Sequence, residues 1–113
     1  MSRQAGAQAE ERAAFFLKGQ GYRILERNLR AGGGEIDIVA RDGDTLVFVE
    51  VRLRRSASFG SPAETVGPAK RRRLVRAALA YAQALDLDCP MRFDVVALEG
   101  GGLEHIPGAF GAD

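Results

Sequence analysis

The sequence predicts an α/β fold built as one domain over residues 1–113. Three observations predict it. Two runs rich in Ile, Val and Phe flank an Asp-Gly-Asp turn in mid-chain. Segments with apolar residues at helical spacing lie before and after that pair. Further strand-like runs stand outside the hairpin, giving four or five strands in all. A chain of 113 residues, 46% apolar, can fill one core and has no room for a second.

Arg3 to Gln20 reads as a helix that stops at a glycine, Gly19 or Gly21. Ala9, Ala13, Phe16 and Leu17 form its apolar stripe. At about 100° per residue Glu10 falls inside that stripe, whereas Glu11 falls outside. A carboxylate on the apolar side needs a partner or a role. The dipole at the helix N-terminus offers it a simpler reason to be there.

Tyr22 to Arg30 reads as a strand. Ala31-Gly32-Gly33-Gly34 lacks the lysine and spacing of a phosphate-binding loop. Its expected use is close backbone approach or a bend beside Glu35 and Asp37.

Gly34 to Ala40 and Thr45 to Arg52 form the hairpin. With the turn centred on Asp42-Gly43, Arg41 pairs with Asp44, Glu35 lies opposite Glu50, and Asp37 opposite Phe48. Side chains alternate between faces. One face carries Ile36, Ile38, Ala40, Val47, Val49 and Val51. The other carries Glu35, Asp37, Val39, Leu46, Phe48, Glu50 and Arg52. Asp37 and Glu50 are then diagonal neighbours, with Cα atoms roughly 7–8 Å apart. Such carboxylates repel each other unless a cation lies between them. A magnesium-type ion takes one or two carboxylates, with water and substrate phosphate as further ligands. The same residues also fit a plain reading, in which Glu35 and Glu50 sit at the solvated hairpin end and pair with arginines.

Ser56 to Gly60 reads as a loop, and Ser61-Pro62-Ala63-Glu64 as a helix start. Gly67-Pro68 starts the main helix, which runs to about Leu85, with Leu74, Ala77, Ala78, Tyr81 and Leu85 as its buried stripe. Met91 to Leu98 reads as a strand. Asp94 on it is expected to serve an arginine rather than a metal. Leu103 to Ile106 is a short last strand, and the tail from Pro107 to Asp113 packs or frays through Phe110. His105, with no second His or Cys nearby, is not a zinc site and is expected at the surface.

The charge is uneven. Net charge is only +1, yet Arg52, Arg54, Arg55, Lys70, Arg71, Arg72, Arg73 and Arg76 face one acid, Glu64, in that span. Several of these crowd the first turns of the second helix. There each opposes the macrodipole by roughly 0.3–1 kcal/mol at low salt. A docked polyanion would offset that cost, so the cluster reads as a nucleic-acid-binding surface. A soluble arginine-rich helix face is the alternative. Cys89 is alone and makes no internal disulfide. No apolar run resembles a signal peptide or a membrane span, so the expected compartment is the cytoplasm, with no membrane partner.

Gly34-Glu35-Ile36-Asp37 followed by Phe48-Val49-Glu50-Val51-Arg52 resembles the core of the PD-(D/E)XK nuclease superfamily. The chain more closely resembles the bacterial YraN family, which is similar to Holliday-junction resolvases of that superfamily. The matching pieces are Gly21-Tyr22-Arg23-Ile24-Leu25 with Asn28 and Arg30, the hairpin, Phe59-Gly60, Lys70, and Arg92-Phe93-Asp94-Val95-Val96. The resemblance implies a restriction-endonuclease-like fold, a central mixed sheet flanked by helices. It implies a metal-dependent endonuclease acting on structured or branched nucleic acid, DNA foremost. By the same analogy, cutting two strands of a junction calls for a homodimer. Asp37, Glu50 and the carbonyl of Val51 would hold Mg2+ or Mn2+. Glu35 or Glu10 would bind through water, since the superfamily often carries a Glu on its first helix.

Arg52 stands where the superfamily pattern has lysine. An arginine cannot give up its proton to act as a base, though it can clamp a phosphate. Lys70 matches a family position and is the candidate for the missing catalytic lysine. Two other readings stay open: a nucleic-acid-binding module of the same fold without the chemistry, and an adaptor whose arginines meet an acidic protein.

Overall fold

The computed structural model describes residues 3–54 and 66–112. The predicted loop at Ser56–Gly60, the helix start at Ser61–Glu64, and Arg55 lie outside the described residues. Among the described residues two helices, α1 (Arg3–Gly19) and α2 (Pro68–Ala84), accompany five strands: β1 (Arg23–Ala31), β2 (Gly34–Asp42), β3 (Thr45–Arg54), β4 (Met91–Glu99) and β5 (Gly102–Phe110). The strands form one sheet in sequence order. All neighbours are antiparallel except β3 and β4, which are parallel, so the sheet is mixed. A parallel pair needs a crossover, and α2 lies within the connection that supplies it.

Both faces of the central strands are buried, by different helices. Ile38, Ala40, Val47 and Val49 pack with Ala9, Ala13, Ala14 and Leu17 of α1. Val39, Leu46 and Phe48 pack with Leu74, Ala77, Ala78 and Tyr81 of α2. The apolar face predicted for the hairpin is therefore the α1 face, with one exception. Ile36 joins the α2-side core, so the alternation of β2 slips at Asp37.

The hairpin register differs from the predicted one by two residues. Asp42 pairs with Thr45, leaving Gly43 and Asp44 as the loop. Gly43 has φ +60°, the conformation a two-residue loop demands of its first residue in a type II′ turn. An even shift keeps every other side chain on its face but changes what stands opposite. The ladder ends at Ile38–Val49, and the next residues along are Asp37 and Glu50.

Three further expectations are corrected. Leu85 lies beyond the end of α2 and is 53% exposed; Ala82 takes its place in the buried stripe. β5 continues through Pro107 to Phe110, which is paired to β4 across a register shift and stacked on Phe93. An edge strand tolerates a proline because no further strand needs its N–H. His105 is not a surface residue: its side chain is only 10% exposed and lies against Asp94.

The glycine run works by close approach. Gly34 lies against the Arg73 carbonyl and Gly32 against that of Arg76; a Cβ at either would come within 2.8 Å of that oxygen. The β1–β2 turn is thus seated on the backbone of α2.

Candidate active site at the fork between two strands

Beyond Ile38–Val49, β2 stays paired to β1 through Ala31–Gly34, and β3 stays paired to β4 through Arg54–Glu99. The sheet opens there as a fork. Asp37 Oδ2 accepts the Val51 N–H at 2.8 Å, so a side chain takes up a main-chain donor where the ladder stops. Glu50 is 4% exposed. Two cations hold its carboxylate: Lys70 Nζ at 3.3 Å from the start of α2, and Arg52 Nη1 at 3.5 Å from the same strand. Glu10, from the early turns of α1, and the Val51 main chain line the same cleft of about 220 Å³. Glu10 itself has a long contact with Arg27 at 3.9 Å, while Arg27 binds Glu11 at 3.0 Å.

Asp37 is short of compensation. Burial raises its pKa, the Glu50 charge and a hydrogen bond between the two carboxyls raise it further, and Glu10 adds to this. The Val51 N–H opposes the shift, and the result is about 8. Desolvation first, and the facing carboxylate second, therefore favour the protonated form of Asp37 at neutral pH.

Asp37, Glu50, Val51, Arg52, Lys70 and Glu10 are thus brought together. Glu35 is not. It is exposed, 3.9 Å from Arg30, on a neighbouring groove. Arg54 lines a different cavity, with Glu99 and Glu104. Arg71 is half-buried; its Nε donates to the Val66 carbonyl at 2.6 Å, and its guanidinium lies over Phe110. Arg72, Arg73 and Arg76 are exposed on α2.

Among the described residues no group of three or more His, Cys, Asp or Glu side chains is arranged to hold a metal. A structural zinc centre does not fit. A hard cation held by two carboxylates, with water and phosphate oxygens completing the shell, fits the pair.

The sequence reading missed a second polar cluster. Asp94 is fully buried. Its carboxylate accepts Arg92 Nε at 2.8 Å and Nη2 at 3.1 Å, His105 Nε2 at 2.8 Å, and the Gly108 N–H at 3.0 Å. The Tyr22 hydroxyl reaches it at 3.4 Å, and Arg92 also binds Tyr22 and Asp42, the latter at 3.1 Å. Burial alone would raise the Asp94 pKa, but these donors hold it below the ordinary value. The arginine partner expected for Asp94 is Arg92.

A family model, the Uncharacterised protein family UPF0102, matches residues 9–98. The chain belongs to UPF0102. This is the YraN family that the sequence resembles. A UPF0102 protein of Cupriavidus taiwanensis is 54% identical over 99% of this chain and 87% of its own length. One of Chromohalobacter salexigens is 52% identical over 88% and 80%, and one of Symbiobacterium thermophilum 51% over 89% and 86%. The UPF0102 match spans every residue of the cleft from Ala9 to Lys70, and Asp94. Among the described residues no helix is long and apolar enough to cross a membrane.

Proposed function

We propose that this UPF0102 protein is a divalent-metal-dependent endonuclease acting on structured or branched DNA. The observation that carries the reading is the Asp37–Glu50 pair just past the last β2–β3 ladder pair, where half-buried Asp37 and buried Glu50 line one cleft with Lys70 and Arg52. Asp37, Glu50 and the Val51 carbonyl would hold Mg2+ or Mn2+, with Glu10 reaching the site through water. The bound ion would supply a more acidic water and charge neutralisation at the phosphate.

The protein's own groups divide the remaining work. Lys70 reaches the cleft from α2, 3.3 Å from Glu50, and its ammonium can donate to the attacking water and orient it. Arg52 can pair with phosphate oxygens as charge builds on them. Exposed Arg72, Arg73 and Arg76 would hold the backbone, with affinity falling steeply as salt rises. A homodimer would let two such sites cut a junction in two strands.

One observation favours a second reading. Lys70 and Arg52 already neutralise Glu50, as they would in a binding module that has no metal.

The test is cleavage of labelled four-way-junction, flap, single-stranded and duplex DNA with Mg2+ or Mn2+, with wild type beside Asp37→Ala and Glu50→Gln. Cleavage by wild type that is lost in both variants is expected. Cleavage surviving in both overturns the proposal. No cleavage in any sample, with salt-sensitive binding intact in Asp37→Ala, selects the binding module.

A further inference from the structure

A larger groove adjoins the cleft and shares Lys70 with it. It holds about 570 Å³ and is lined by Arg30, Gly33, Gly34, Glu35, Lys70 and Arg73, among others. Three cations face one carboxylate. Arg30 is 84% exposed and only 3.9 Å from Glu35, a contact too long and too wet to hold it. Arg73 has no hydrogen-bond or ion-pair partner among the described residues. One wall is the β1–β2 turn and the other is α2, and Gly32 and Gly34 lock the two together at van der Waals contact. The groove is therefore a fixed feature of the fold. Gly33, with φ +79° and open space where a Cβ would be, leaves main chain bare at the wall.

The space is larger than a phosphate needs and is in the range of pockets that take whole small ligands. Guanidinium planes pair with phosphate oxygens and also stack on bases. A base can enter such a groove only if it is unpaired.

We infer that the Arg30–Arg73 groove holds an unpaired nucleotide and its phosphate next to the phosphate presented to the Asp37–Glu50 cleft. The substrate class is then DNA with a single-stranded segment at the cleavage point, such as a flap, an overhang or an opened junction arm. The assignment rests on the proposed function for its position in the strand, but its binding test does not require cleavage.

The test is fluorescence anisotropy of the full chain in EDTA, over a range of salt. The probes are a blunt duplex and the same duplex with a single-stranded overhang. The proteins are wild type, the double variant Arg30→Ala/Arg73→Ala, the double variant Arg72→Ala/Arg76→Ala on exposed α2 positions outside the groove, and Asp37→Asn. Wild type should prefer the overhang about ten-fold, the ratio that one stacked base provides. Arg30→Ala/Arg73→Ala should abolish the preference and lower the slope of log affinity against log salt by about 0.7, for the one lost phosphate contact. Arg72→Ala/Arg76→Ala should weaken both probes alike and keep the preference, and Asp37→Asn should keep it too. Equal binding of the two probes by wild type, a preference surviving in Arg30→Ala/Arg73→Ala, or no binding at all overturns the inference. A nuclease that needs Asp37 but ignores Arg30 and Arg73 would leave the proposed function standing and this inference overturned. Groove-dependent overhang binding without any cleavage would do the reverse.

Discussion

Asp94 and Asp37 are carboxylates of one kind in opposite surroundings. Asp94 is fully buried and is met by a forked guanidinium, an imidazole, a main-chain N–H and a hydroxyl. Despite its burial it stays ionised more readily than an ordinary aspartate. Asp37 accepts one main-chain N–H and faces Glu50, and its pKa rises to about 8. The first carboxylate joins β4, β5, the hairpin end and Tyr22 into one network. The second is met by one main-chain N–H and by a second carboxylate. Burial alone does not tell structure from site; the balance of donors and charges around the buried group does.

Replacing each aspartate tests that contrast with the largest effect. Asp94→Asn leaves half-buried Arg92 with only the more exposed Asp42 as a counter-charge, and should lower stability by about 3 kcal/mol. Asp37→Asn removes a repulsion and should leave metal-free stability at pH 8 unchanged or higher. Denaturant unfolding of both variants measures this, and equal losses would break the comparison.

Divalent metal and pH come next. A ligand that binds only the folded state at about 100 times its Kd adds about 2.7 kcal/mol. Mg2+ or Mn2+ should stabilise wild type in this way and fail to stabilise Asp37→Asn. The sign of the pH dependence follows from the same carboxylates. The raised Asp37 pKa means that between about 4 and 8 the folded chain keeps a proton that the unfolded chain has released. Metal-free stability therefore falls across that window as pH rises, and levels off above it. The lowered Asp94 pKa acts the other way: its stabilisation is present above the ordinary carboxylate value and is lost as pH falls through the folded value. Urea unfolding against pH should show the decline between about pH 4 and 8 in wild type, and not in Asp37→Asn.

Smaller changes sharpen the comparison. His105→Gln removes one of several donors to Asp94 and should cost about 1 kcal/mol, with Arg92 still in place. Glu10→Gln should alter stability by less than about 0.5 kcal/mol, while lowering the pKa of Asp37, because one contributing negative charge is gone. Thermal melts give the first pair of values and a carboxyl titration the last.

Much of this was legible in the sequence because local pattern and chemistry coincide. Period-two alternation around Asp-Gly-Asp locates the hairpin, and helical spacing locates α1 and α2. An acid inside the α1 stripe picks out Glu10, which does line the cleft. What failed depended on choices that local pattern leaves open. Asp42-Gly43 and Gly43-Asp44 are both acceptable turns, and the pairing of Asp42 with Thr45 selects the second. That choice brings Asp37 level with Glu50 in place of a diagonal. Pro107 and Gly108 look like breakers, so the length of β5 was hidden. With it went the Gly108 N–H and the setting of His105 against Asp94. Glu35 looked equivalent to Asp37 by alternation, but it stands at the rim of the neighbouring groove beside Arg30.

The most direct measurement is a side-chain carboxyl NMR titration of Asp37 and Asp94, with and without Mg2+. Metal-free Asp37 should titrate near 8, and Mg2+ should drive it below the ordinary carboxylate range. Asp94 should stay ionised down to below that range in both conditions. An Asp37 that titrates as an ordinary carboxylate and does not respond to Mg2+ would contradict the account.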